Sequence, residues 1–86
     1  MYTVYILKSI SKERYYIGYT ENLERRLKDH NSGRTKSTKA YVPWQVVYKE
    51  EHNSKSEAYI REQEIKSFKS GIKFDKLINP ERWQSG

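Results

Sequence analysis

The chain contains no cysteine. That absence excludes disulfides, zinc ribbons, thiolate clusters and a cysteine nucleophile. No stretch approaches the ~18 consecutive apolar residues of a membrane span. Acidic residues are the other shortage: 11 Asp plus Glu stand against 17 Lys plus Arg, a formal charge of +6. An excess of this kind points to an anionic partner, with nucleic acid first, against the plainer reading that it serves solubility. The 86 residues leave room for one domain, placed here at residues 1–80 with a tail, 81–86, expected to fray. A domain so small buries only roughly 60% of its unfolded surface. Met1-Tyr2-Thr3 opens directly into a strand-like pattern. We therefore expect no signal peptide, no membrane association and a soluble, cytoplasmic protein.

Hydrophobic periodicity divides the rest. Tyr2 to Lys8 is rich in β-branched and aromatic residues and reads as a strand. A polar connection, Ser9 to Arg14, leads to a partner strand, Tyr15 to Thr20, in which Gly18 signals a bulge or a close backbone approach. From Glu21 the period changes to that of a helix carrying Leu23 and Leu27, with Thr20 as its cap and Asn31-Ser32-Gly33 as its stop. Arg34 to Val42 is a basic loop without period. Pro43 to Glu50 reads as a third strand, with His52 in the turn that follows. A second helix is expected from Ser56 to Ser70, capped by Ser54 or Ser56 and stopped by Gly71, and a short third over Lys73 to Ile78. The order β-β-α-β-α-(α) is α+β, a small three-stranded, mainly antiparallel sheet flanked by helices.

Placing the charges on these helices is informative. At about 100° per residue and counting from Leu23, Leu27 falls at about +40°, His30 at about −20° and Arg26 at about −60°. Arg26 and His30 thus share the apolar stripe, while Arg25 and Lys28 point elsewhere. On the second helix, counting from Ala58, Glu62 lies at about +40°, Ile65 at about −20° and Ile72 at about −40°. Burying ionisable groups is costly unless they are paired or belong to a site. An Arg26–Glu62 ion pair with a hydrogen-bonded His30 is the bland explanation; a shared functional site is the sharp one. Tyrosine is abundant, eight residues in all. In period two, Tyr5 faces with Thr3 and Leu7, Tyr16 with Gly18, and Tyr2 with Val4 and Ile6. Trp44 and Tyr48 fall on one face of the third strand and read as core.

Taken together, Thr3-Val4-Tyr5, ten intervening residues and Tyr16-Ile17-Gly18 resemble the two-part signature of the GIY-YIG nuclease superfamily. Asn22 to His30, with Arg26 four residues before His30, resembles its next block. Ser56 to Glu62 resembles the block that carries its single metal-binding glutamate. The likeness spans roughly Met1 to Ile78, and its brevity is similar to that of small stand-alone bacterial-type members. The first block reads Thr-Val-Tyr instead of Gly-Ile-Tyr, a change at scaffold positions.

The resemblance implies a phosphodiester hydrolase, an endonuclease using one Mg²⁺ or Mn²⁺ held by Glu62, since Mg²⁺ keeps most of its waters and needs few protein carboxylates. It implies that Arg26 holds the scissile phosphate, that Tyr5 and Tyr16 position and deprotonate the attacking water, and that His30 bonds into the network. The family often ends with an asparagine that helps to close the site, and the resemblance implies that role for Asn79, the one late asparagine, although Pro80 follows it directly. The implied partner is nucleic acid, DNA first, with branched or damaged forms met in repair or recombination among the candidate substrates and a protein partner as a route to targeting. A non-catalytic DNA- or RNA-binding module on the same scaffold is the alternative. Arg25, Arg34, Lys36 and Lys39 form a basic run suited to phosphate contacts, with Thr35 and Thr38 as neutral additions.

Overall fold

The computed structural model describes residues 1–68 and 71–83. Strands β1 (Tyr2–Ser9), β2 (Tyr15–Thr20) and β3 (Trp44–His52) form one antiparallel sheet in the order β2-β1-β3. Central β1 is buried along nearly its whole length because helices cover both faces of the sheet. On one face Val4 and Ile6 pack with Ala58 and Ile65 of α2 (Lys55–Ser67) and Phe74 of α3 (Ile72–Ile78). On the other, Tyr5, Leu7 and Trp44 pack with Leu23 and Leu27 of α1 (Leu23–Asn31). Each wholly buried aliphatic side chain in these two clusters contributes about 1.5–3 kcal/mol. The α+β order expected from the sequence is the one observed.

Several boundaries differ from expectation for local physical reasons. Thr20 keeps its place in the ladder opposite Thr3, so the cap of α1 passes to Asn22, whose Oδ1 accepts the Arg25 N–H at 3.1 Å. At the far end of α1, Asn31 donates to the Trp44 carbonyl (3.1 Å) and accepts its N–H (2.6 Å), which ties the helix to β3. Gly33 then turns the chain away at φ +81, a conformation that favours glycine. The turn expected at His52 is instead the last rung of β3, opposite Tyr2, where His52 donates to Glu50 at 2.6 Å. Ser54 caps α2, as its capping-box spacing indicated. Gly71 is not the stop of α2 but the cap of α3; α2 closes earlier, where Phe68 N–H bonds back to the Ile65 carbonyl at 3.0 Å. The expected end at Ser70 lies outside the described residues. Ile72, assigned to the core stripe of α2, belongs to α3 and is 62% exposed. The tail begins with a 3-10 turn, Pro80–Trp83.

The sheet carries one irregularity that reassigns side chains. Ile6 pairs with Tyr48 and Leu7 with Val46, so Val47 is an extra residue on β3. Period two resets there. Trp44 therefore packs on the α1 side and Tyr48 on the α2 side, although simple alternation places them together. The basic segment after α1 is also more ordered than its lack of period suggested: it holds a 3-10 turn, Lys39–Tyr41, with Tyr41 packed edge-on against Trp44 at 6.2 Å.

Candidate active site

The site grows from one register pair. Tyr5 of β1 stands opposite Gly18 of β2, and its ring lies across the space that a side chain at residue 18 would fill. A Cβ there would sit 2.8 Å from the Tyr5 hydroxyl oxygen and 3.1 Å from Cε1 of Tyr16. The close approach signalled by Gly18 is thus the passage of the Tyr5 ring over the strand. Gly18→Ala is expected to displace that ring, cost about 1–3 kcal/mol of stability as an overpacked core position, and remove most activity. Thermal unfolding and cleavage assays of this variant check both effects.

Beyond Gly18, the Tyr5 hydroxyl meets Nε2 of His30 at 3.3 Å, and Nδ1 of His30 meets the Thr38 hydroxyl at 2.9 Å. The Thr38 hydroxyl donates to the Thr35 carbonyl at 3.3 Å, so its oxygen is left to accept from His30. The directions follow: Thr38 accepts the Nδ1–H, and the opposite nitrogen accepts from Tyr5. Tyr5 is 1% and His30 0% exposed, so this chain is held in a water-poor interior. Burial, helped by the Arg26 charge and opposed by Asp29, pushes the His30 pKa below its usual 6.5. Burial also pushes the Tyr5 pKa up to about 12; Arg26 opposes the rise, while Tyr16 and Glu62 add to it.

The depressed His30 value has a consequence for folding. Stability from a neutral buried histidine is full above the unfolded pKa of about 6.5 and is lost as pH falls through the lower folded value. Urea midpoints are therefore expected to be flat in this contribution at pH 7 and above and to fall below about pH 6, with the fall reduced in His30→Gln.

The Arg26 guanidinium interacts with both tyrosines. Hydrogen bonding to Tyr5 raises its pKa, burial opposes, and hydrogen bonding to Tyr16 adds to the rise. The Tyr16 ring stands 4.7 Å from that of His30 and 6.3 Å from that of Tyr5. Glu62 is 8% exposed on the inward stripe of α2 with Ala58 and Ile65. Its charge is felt at Tyr5. The bland alternative, an Arg26–Glu62 ion pair, is not what forms among the described residues: Glu62 Oε1 accepts from Gln63 (2.9 Å) and meets Lys66 (3.4 Å), and Oε2 takes no hydrogen bond. Four expected residues, Tyr5, Tyr16, Arg26 and His30, are thereby brought together on the α1 side of the sheet, while Glu62 stands on α2, which packs the other face, and reaches them through its charge at Tyr5.

The other residues singled out are placed elsewhere. Asn79 caps the C-terminus of α3 and donates to Asp75 at 3.0 Å, so its side chain is engaged at that helix end and not at the tyrosines. Arg25 is exposed on α1, and Arg34, Lys36 and Lys39 lie on the segment that follows, with Lys36 and Lys39 exposed. Arg34 is 3.8 Å from Asp29, and its side chain is exposed as well. Thr38, expected to offer a phosphate contact, is 1% exposed and holds His30 instead. Sequence offered little signal for that role, because Thr38 sits in a segment without period and reaches His30 only through the tertiary turn that Trp44 Nε1 closes on the Thr38 carbonyl at 3.0 Å. Among the described residues no helix is long and apolar enough to cross a membrane.

Comparison with known proteins agrees with the geometry. The sequence profile of the GIY-YIG catalytic domain matches residues 1–73. A UPF0213 protein of Natronomonas pharaonis is 43% identical over 79 residues, 91% of this chain and 91% of that protein. Another, of Staphylococcus haemolyticus, is 48% identical over 66 residues, 76% and 79% of the two chains. The solution NMR structure of a UPF0213 protein from Bacillus halodurans superimposes with a TM-score of 0.56 at 35% identity, covering 93% of this chain and 85% of that one.

Proposed function

The chain belongs to the GIY-YIG catalytic-domain family, and on that premise we propose that it is a divalent-metal-dependent endonuclease that hydrolyses DNA phosphodiester bonds. The observation that carries the reading is the directed chain from Tyr5 through His30 to Thr38, with Arg26 interacting with Tyr5 and the Glu62 charge felt there. A purely structural histidine does not call for two tyrosines and an arginine gathered around it.

The donor set suits Mg²⁺ or Mn²⁺. Glu62 offers one carboxylate with one oxygen free of hydrogen bonds among the described residues, which matches an ion that binds through one or two carboxylates and keeps its waters. Lys66 competes at the other oxygen from an exposed, flexible position. When bound, the ion neutralises charge that develops on the phosphate oxygens. Arg26 adds a fixed guanidinium to the same task, and Tyr16 keeps it oriented.

Tyr5 acts on water. Its proton is directed to neutral His30, which leaves its oxygen to accept from the attacking water. As the water loses its proton to Tyr5, the Tyr5 proton passes to Nε2, and the Nδ1 proton stays on His30, donated to Thr38. This relay avoids a standing phenolate, which burial disfavours, and leaves the proton on His30 only for the chemical step, because burial and the Arg26 charge disfavour the imidazolium as well. Tyr5 is thus the proton acceptor and Tyr16 the positioning residue.

The test is incubation with supercoiled, branched and single-stranded DNA and with RNA, each with Mg²⁺, Mn²⁺ or EDTA. Cleavage in either metal and none in EDTA is expected. Binding without cleavage under every condition would replace the nuclease by a binding module.

A further inference from the structure

The connection between β1 and β2 carries cations that the site above does not use. Lys12 Nζ stands 5.5 Å and Arg14 Cζ 4.9 Å from the centroid of the same Tyr41 ring. Two cations gathered on one ring repel each other, and among the described residues neither reaches a carboxylate at ion-pair distance. The ring face repays part of that cost, about 0.5–1 kcal/mol per exposed cation. An anion seated between them would remove it.

The arrangement is held, not incidental. Ser9 Oγ donates to the Tyr41 carbonyl at 2.6 Å, Ile10 N–H to the Pro43 carbonyl at 2.9 Å, and Ser11 Oγ to the Val42 carbonyl at 3.3 Å. These bonds clamp the turn onto the segment that carries Lys36 and Lys39, so both sets of cations stand at one end of the sheet. Tyr41 packs in the cluster of Tyr5 and Tyr16. Its ring therefore places Arg14 on the Tyr16 face, two residues before Tyr16 along the chain. Arg14 stands just before β2, and two residues of extended chain span roughly 7 Å, close to one nucleotide step from a phosphate that Tyr16 and Arg26 would hold under the reading above.

We propose that Lys12 and Arg14, seated on Tyr41, form a second phosphate-binding surface that holds the backbone of duplex DNA about one nucleotide from the scissile bond, an inference that rests on the DNA reading above. The contacts carry no base information; they set register and strand direction into the site.

The experiment measures binding of a fluorescent duplex oligonucleotide in EDTA, where no cleavage occurs, over a range of salt. Lys12→Gln with Arg14→Gln keeps the stems on the ring and removes both charges. The logarithmic salt slope is expected to fall by about 1.8 and affinity by on the order of 10- to 100-fold at about 0.1 M salt. Each single substitution is expected to remove about half of the slope change, and Arg14→Lys to keep it. Circular dichroism establishes that each variant is folded. An unchanged slope in the folded double variant, or in both folded single variants, would overturn the proposal, as would a wild-type protein that binds no duplex DNA. A wild-type protein that cleaves nothing in Mg²⁺ or Mn²⁺, yet loses slope on substitution, keeps this surface and loses the nuclease reading. Cleavage with an unchanged slope does the reverse.

Discussion

Glu62→Gln is expected to abolish cleavage while leaving the fold and nearly all DNA affinity in place. Glutamine keeps the length and planarity of the side chain, so Ala58 and Ile65 on either side of it retain their packing against β1. What disappears is the one inward carboxylate of α2, and with it the charge that would attract Mg²⁺. Transition-state stabilisation by a bound metal is worth several kcal/mol, which at about 1.36 kcal/mol per decade is a rate loss of about 10³-fold or more. Lys66, itself exposed, meets Oε1 at 3.4 Å; loss of that i,i+4 pair costs about 1 kcal/mol or less, so melting temperatures should barely move. The measurement is single-turnover cleavage across Mg²⁺ concentrations, with binding followed separately in EDTA. Full activity in Glu62→Gln would remove the residue from metal binding.

Tyr5→Phe is expected to lower the rate by about 10² to 10⁴-fold, the usual scale of general acid–base catalysis, and also to lower stability. The second effect comes from burial: without the hydroxyl, Nε2 of His30 is left in the interior without its donor, at about 1–3 kcal/mol. Tyr16→Phe separates the two effects. Its hydroxyl engages Arg26, not the His30 chain, so its loss should slow cleavage by misplacing the guanidinium while costing little stability. Tyr2 is the control. It packs at the opposite face, edge-on to Tyr19 at 6.5 Å, and Tyr2→Phe should leave the rate unchanged. Near wild-type turnover in both Tyr5→Phe and Tyr16→Phe would end the proposed relay and favour a binding module. Denaturant unfolding in parallel with single-turnover rates separates chemistry from folding.

What the sequence determined by itself is what depends on local period. Alternation in Tyr2 to Lys8 and Tyr15 to Thr20 set the faces of the first two strands, and therefore the company of Tyr5 and Tyr16. The helical step of about 100° was enough to turn Arg26, His30 and Glu62 inward. A short helix built around two leucines, or around Ala58 and Ile65, has one stripe to bury. Those same side chains were legible as a candidate site because charge on a buried stripe is costly and so is seldom there without cause.

Tertiary structure decided the rest. Alternation could not foresee the extra residue Val47, so it put Trp44 and Tyr48 on one face, where the bulge parts them. It could not choose between an Arg26–Glu62 ion pair and a shared functional site; packing removed the ion pair among the described residues, with Glu62 beside Lys66 and Arg26 interacting with the tyrosines. Thr38 is the plainest case. Nothing in Arg34 to Val42 repeats, so sequence left it a basic loop suited to phosphate contacts; yet Trp44 and the turn at Lys39–Tyr41 fold that segment back and bring a hydroxyl to Nδ1 of His30. The physical reason is range: period reports which side of its own element a residue takes, while the partner it meets there depends on contacts between elements distant along the chain.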